Sequence, residues 1–99
     1  MTLEESLKAL AAAGSTTTYG ALAHDLNLRI GSLTAALEAL MEADAAANHP
    51  LRAALCEGRL SHGLPAEGFF LKAMQLGFDI PDRRAFVTAQ RLELHRAHR

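Results

Sequence analysis

The chain has 99 residues, of which 49% are hydrophobic and 21% are charged, and its formal net charge is −1. This length suits one small domain, and this composition is typical of a soluble globule rather than a disordered or fibrous chain. No apolar run approaches the roughly 20 residues that a membrane-spanning helix needs, and a single cysteine excludes an internal disulfide. We therefore predict one domain over residues 1–99, a reduced cytoplasmic location and no membrane partner.

Charge is divided unevenly along the chain. Residues 1–48 carry six acids and two bases, whereas residues 49–99 carry five acids and eight bases, so the halves have net charges of −4 and +3. Such polarity is compatible with an anionic partner, or with an acidic face that meets a basic one. Abundant alanine and a single valine favour helix over sheet.

Two helices are predicted in the first third of the chain. A capping box, Thr2-x-x-Glu5, begins the first helix, and Gly14 ends it. A second, short helix covers residues 19–26. Asn27 follows it, and asparagine readily adopts the left-handed conformation that a tight turn needs.

The third predicted helix covers residues 32–47. Ser32 is its expected N-cap, and the helix must end before Pro50, because a residue that precedes proline disfavours the helical region. Glu38 and Glu42 lie off its apolar stripe, on the solvent side. The stripe itself consists of Leu33, Leu37, Leu40 and Met41.

A hairpin and two more helices complete the prediction. Residues 51–64 are expected to form a small β-hairpin or extended arm, followed by helices over 68–77 and 81–99. The apolar residues that these helices offer to the core are Phe69, Phe70, Ala73, Met74, Phe86, Ala89 and Leu92. The predicted fold is therefore mainly α with a small β-hairpin, in a winged helix-turn-helix with the turn-linked helices at 19–47 and the wing at 51–64.

Two stretches carry a resemblance to a known family. TTTYGALA (residues 16–23) and LRAALCEGRLSHGLPAEGFFLKAMQLG (residues 51–77) resemble parts of the C-terminal domain of DNA alkyltransferases and alkyltransferase-like proteins. The first looks like the family's threonine-tyrosine-glycine start, and the second like its strand, glycine-rich wing and following helix. The resemblance implies a winged-helix fold in which Tyr19 crowds a DNA phosphate and helps to rotate a nucleotide out of the duplex.

The chain departs from that family at its reactive position. Alkyl transfer there needs a cysteine within a proline-cysteine-histidine-arginine motif, whereas Leu51 stands near that position here, so the resemblance implies no alkyl transfer. The family also begins its recognition helix with an arginine; this chain has Gly31 there and its nearest arginine is Arg29, which disfavours base flipping. Cys56 is expected to be a small buried hydrophobe rather than a reactive thiol.

A second resemblance implies no activity. Small bacterial proteins of unassigned function have a similar layout, with a tyrosine-glycine pair and a later glycine-phenylalanine-phenylalanine. The five histidines and the Glu38–Glu42 pair do not predict a metal, cofactor or catalytic site, because short polar spacings of this kind are usually solvated surface.

The third helix leaves two hypotheses open. It carries acids and no lysine or arginine, and each anion placed against phosphate lowers affinity for DNA. The first hypothesis is a non-enzymatic winged helix associated with duplex DNA, whose candidate contacts are Tyr19, Arg29, Ser32, Thr34, Arg52 and Arg59. The alternative is a protein-interaction or dimerisation module that binds another protein or a second copy through the 32–47 helix face.

Overall fold

The computed structural model describes residues 1–99, and the fold is mainly helical, as predicted. Its five α-helices, α1 to α5 in chain order, are Leu3–Ala13, Tyr19–Asp25, Ile30–Ala46, Glu67–Gln75 and Arg83–His98. A 3-10 helix covers Arg52–Leu55. Strands β1 (Thr17–Thr18) and β2 (Cys56–Glu57) form one parallel pair, with Thr17 opposite Cys56.

The local signals at the first two helices are confirmed. The Thr2 hydroxyl accepts a hydrogen bond from the Glu5 N–H at 3.1 Å, and the Glu5 carboxylate accepts one from the Thr2 N–H at 2.8 Å. Gly14 follows α1 in the left-handed conformation, with φ of 66°. Asn27 takes φ of 54° in the turn after α2. The chain thus leaves each helix through a residue type that tolerates this backbone conformation.

The start of α3 differs from the prediction that Ser32 is its N-cap. The helix begins at Ile30, and Arg29 occupies the N-cap position in an extended conformation. The Leu33 N–H donates to the Arg29 carbonyl at 3.0 Å, so the first helical turn already contains Ser32. The turn after α2 is short: Asn27 has φ of 54° and the Leu28 N–H donates to the Ala23 carbonyl at 2.9 Å, so helical hydrogen bonding can begin at Arg29.

The predicted two-stranded hairpin over residues 51–64 is wrong. After the 3-10 helix, β2 pairs in parallel with β1, and residues 58–64 form a compact loop closed by a 2.9 Å hydrogen bond from the Gly58 N–H to the Leu64 carbonyl. A half-buried strand alternates between two faces. This segment cannot alternate, because four consecutive residues are buried: Ala53, Ala54, Leu55 and Cys56.

The core lies among α1, α3, α5 and the 3-10 helix. The largest fully buried side chains include Leu7, Leu33, Met41, Leu51, Phe70, Val87 and Leu94. None of the helices combines the length and the hydrophobicity that crossing a bilayer requires.

The predicted inner stripe of α5 is wrong in part. Val87 and Leu94 are the buried residues of this helix, while Ala89 and Leu92 are exposed and Phe86 is half-buried. Other half-buried positions of α5 carry polar side chains, which form hydrogen bonds with nearby backbone groups. A pattern of apolar residues in the sequence does not reveal these positions. On α4, Phe69, Phe70 and Ala73 are buried as predicted, whereas Met74 is exposed.

Candidate functional site

A groove of about 260 Å³ lies between α3 and the first turn of α4. Five of its lining residues are spaced along one face of α3, and these are Ile30, Thr34, Leu37, Glu38 and Met41. The remaining lining residues are Tyr19, Ala53, Ala66, Gly68 and Phe69. We call this feature the α3 groove. It occupies part of the helix face that was predicted to meet DNA or a protein.

Tyr19 ties the start of α2 to the start of α4. Tyr19 is half-buried, and its hydroxyl accepts a 3.1 Å hydrogen bond from the Ala66 N–H. Burial raises the pKa of Tyr19 above its usual value, although the bond from Ala66 opposes this shift. The phenol therefore stays protonated at neutral pH. It donates no hydrogen bond to another group of the protein.

The α3 groove is apolar apart from a few polar atoms. The Thr34 hydroxyl is already satisfied, because it donates to the Ile30 carbonyl at 2.9 Å within the same helix. Glu38 supplies the only charged side chain of the lining; it is exposed and forms no ion pair. Ile30 is 54% exposed at the groove.

The volume of the α3 groove limits what it can hold. Pockets for drug-sized ligands and cofactors usually enclose about 300–1,000 Å³. At about 260 Å³, this groove lies just below that range. It therefore suits one or two anchoring side chains of a partner better than an extended cofactor.

The other acids of α3 are used by the fold. Glu42 forms a 2.6 Å ion pair with Lys72 of α4, whose side chain is only 15% exposed. Asp44 is buried and accepts hydrogen bonds from the Arg52 backbone N–H and from Arg52 Nε, each at 3.0 Å; it also forms an ion pair with Arg52 Nη2 at 2.8 Å. The Nδ1 atom of His49 lies 3.5 Å from the same carboxylate. Two of the three acids on this helix thus stabilise its packing against later elements.

Sequence reasoning missed this Asp44–Arg52 cluster, although a signal was present. Asp44 lies three residues after Met41 and seven after Leu37, which places it on the buried stripe of α3. An acid on a buried stripe needs a partner, because a carboxylate is rarely buried alone. That partner is Arg52, which had been predicted to contact DNA.

The candidate nucleic-acid contacts do not converge on one site. Tyr19 and Thr34 line the α3 groove, and Arg52 is bound to Asp44. The other three candidates, Arg29, Ser32 and Arg59, are exposed and lie outside the groove lining. Neither Arg29 nor Arg59 forms an ion pair.

Most arginines near and within α5 bond to the protein itself. Arg83 forms a two-pronged ion pair with Glu67, at 2.5 and 2.8 Å, and lies 4.5 Å over the Phe70 ring. The Glu67 hydrogen bonds raise the pKa of Arg83 above its usual value. Arg84 and Arg91 donate to backbone carbonyls. These bonds leave fewer cations free for an anionic partner than the composition suggests.

The residues that bear on alkyl transfer lie in the core. Leu51 is 0% exposed, and its N–H donates to Gln90 Oε1 at 2.8 Å. Cys56 is also fully buried, as predicted, and burial raises the pKa of its thiol to about 12. No three or more histidine, cysteine, aspartate or glutamate side chains converge as a set that could hold a metal ion.

Comparison with known proteins identifies no relative. No protein-family model, curated protein or solved structure matches the chain. The resemblance to alkyltransferases therefore stays a prediction.

Proposed function

We propose that the protein is a non-enzymatic protein-binding module. In this proposal the α3 groove takes an apolar side chain of a partner segment, and a basic residue of that segment pairs with Glu38. The observation that carries the proposal is the groove itself: the helix face expected to meet a partner is apolar, and its single charge is an unpaired carboxylate.

The energetics favour a protein segment over a phosphate backbone at this face. Burying one leucine-sized side chain contributes about 1.5–3 kcal/mol. Glu38 would oppose a phosphate group, whereas it would attract a lysine or arginine next to that anchor. The protonated Tyr19 hydroxyl can donate a hydrogen bond to a backbone carbonyl of the bound segment.

A DNA-binding winged helix is the second candidate. It is supported by the pair α2 and α3, which are joined by residues 26–29, and by the exposed, unpaired Arg29 and Arg59. Because the hairpin does not form, residues 58–64 would have to serve as the wing. Against this candidate, Arg52 is bound to Asp44 and is not free to neutralise a phosphate.

The test uses two glycine variants that are closely matched. Gly31 and Gly68 are each the second residue of a helix, and a Cβ added at either would meet no atom within 4 Å. Only Gly68 lines the α3 groove. Gly68→Leu should therefore fill the groove without disturbing the fold, while Gly31→Leu serves as the control.

Binding is measured by amide chemical shifts during titration with short peptides in a glycine-serine background. A peptide with a leucine-arginine pair should shift the amides of Ile30, Thr34 and Gly68, and a leucine-glutamate peptide should bind more weakly. Gly68→Leu should abolish the shifts, and Gly31→Leu should keep them. Equal binding by both peptides, or by both variants, contradicts the proposal.

A parallel titration with fluorescent duplex DNA over a salt series tests the second candidate. Each phosphate contact changes the slope of log affinity against log salt by about one unit. The proposal expects no measurable binding. A salt-dependent affinity that Arg29→Ala and Arg59→Ala both weaken would favour the DNA candidate instead.

A further inference from the structure

We infer that the occupant of the α3 groove is the loop of residues 58–64 from a second copy of this chain, with Leu60 in the groove and Arg59 paired with Glu38. We call this segment the Leu60 loop. The inference rests on the proposed function, because it names the partner of the same groove.

The Leu60 loop presents an apolar side chain to solvent in an unfavourable backbone conformation. Leu60 is 92% exposed, more than any other large hydrophobic residue of the chain, and its φ is 61°. His62 also has a positive φ, at 53°. Histidine tolerates such angles better than most residues, but leucine rarely adopts them, and they persist only where surrounding structure enforces them. An exposed leucine held in this way suggests that the loop serves to present it.

Two arginines of α5 hold the Leu60 loop in place. Arg84 Nη2 donates to the His62 carbonyl at 3.0 Å. Arg91 Nη2 donates to the Gly63 carbonyl at 2.9 Å, while its Nε donates to the Ala54 carbonyl at 2.7 Å.

The base of the loop is also tightly packed. A Cβ at Gly58 would clash with the Ser61 Oγ and would lie 3.3 Å from the Ala66 Cα. A loop fixed in this way loses little conformational freedom when it binds, which favours association.

The chemistry of the Leu60 loop complements that of the α3 groove. The loop offers one aliphatic side chain next to Arg59, an exposed cation that forms no ion pair. The groove offers apolar walls next to Glu38, an exposed anion that forms no ion pair. Its volume of about 260 Å³ accommodates a leucine side chain. Each surface therefore has an apolar group and one unpaired charge, and the two charges are opposite in sign.

Both surfaces belong to one chain and are close in sequence. Ala66 and Gly68 line the groove and follow directly after the Leu60 loop. Two copies related by a twofold axis would place each loop in the other's groove, so that the same contact is made twice. The expected assembly is a closed dimer, not an open chain.

The experiment measures molar mass by light scattering and sedimentation equilibrium, from micromolar to millimolar protein. The wild type should pass from monomer to dimer. Leu60→Asn removes the aliphatic side chain but tolerates the left-handed backbone, so it should fold and should weaken dimerisation by at least about tenfold. A wild type that stays monomeric at millimolar concentration overturns the inference, as does a dimer that Leu60→Asn leaves unchanged.

A charge exchange tests the pairing itself. Arg59→Glu and Glu38→Arg should each weaken the dimer, and the double variant should restore it, whereas Lys8→Glu, at an exposed and unpaired cation of α1, should have little effect. Failure of the double variant to restore dimerisation rejects the Arg59–Glu38 contact.

A mixing experiment locates the contact. Isotope-labelled Leu60→Asn keeps its groove, and unlabelled Gly68→Leu keeps its loop, so adding the second to the first should shift the amides of Ile30, Thr34 and Gly68 in the labelled protein. No shift overturns the inference. If the leucine-arginine peptide still shifts these amides, the proposed function stands and only the identity of the partner is wrong; if neither ligand does, both fail.

Discussion

Replacing Asp44 by alanine should destabilise the fold far more than replacing a neighbouring acid of the same helix. The Asp44 side chain is 3% exposed and that of Arg52 is 26% exposed. Asp44→Ala removes the acceptor of the Arg52 backbone N–H and of Arg52 Nε, and it ends the ion pair with Arg52 Nη2. Breaking a buried ion pair from one side costs about 3–5 kcal/mol, since the remaining charge is left without a partner. Because Arg52 can still reach solvent, we expect the lower end, about 3 kcal/mol.

The assay is urea unfolding followed by far-ultraviolet circular dichroism, supported by a thermal melt at low protein concentration. A loss of about 3 kcal/mol corresponds to a fall in Tm of roughly 12–24 °C for a domain of this size. Glu42→Ala is the control. The ion pair between Glu42 and Lys72 is partly exposed, since the Glu42 side chain is 57% exposed. Such pairs contribute about 1 kcal/mol or less. Equal losses for the two variants would refute the structural role assigned to Asp44.

Three further predictions concern the loop, the thiol and the tyrosine. Leu60→Gly should raise the free energy of unfolding of the monomer by about 1 kcal/mol, because it relieves the left-handed backbone, and a urea titration that finds a loss instead contradicts this. Native Cys56 should resist a disulfide reagent at mildly alkaline pH, since burial raises its pKa to about 12; rapid labelling without unfolding would be the contrary result. Tyr19→Phe should lower the free energy of unfolding by about 1 kcal/mol, because the Ala66 N–H loses its acceptor, and an unchanged urea midpoint would argue against that bond.

The sequence predicted well those features that depend on a few adjacent residues. The Thr2–Glu5 capping box joins groups three residues apart, so its partners are visible in the sequence itself. Gly14 and Asn27 adopt left-handed conformations. Glycine has no side chain to prevent this, and the short asparagine side chain tolerates it. The buried positions Leu33, Leu37 and Met41 follow from helical periodicity alone, so the inward face of α3 was predictable.

Features that depend on partners distant in the chain were not predictable in this way. The parallel pairing of β1 with β2 joins residues 39 positions apart, Thr17 with Cys56. Nothing in residues 51–64 alone distinguishes this pairing from a hairpin. The α3 groove likewise requires the start of α4 to lie beside α3, a tertiary fact that no local pattern contains.

The uneven charge of the two halves has a structural explanation at α3. Glu42 and Asp44 belong to the acidic half, and their partners Lys72 and Arg52 belong to the basic half. The opposite charges therefore hold α3 against α4 and against the 3-10 helix, instead of forming two faces that await separate partners. Apart from these two acids, the only charged side chain of α3 is Glu38, which forms no ion pair and lies beside an apolar groove. Release of counterions from DNA needs several free cations on the contacting face. A single carboxylate next to apolar side chains fits a basic, apolar segment of protein instead.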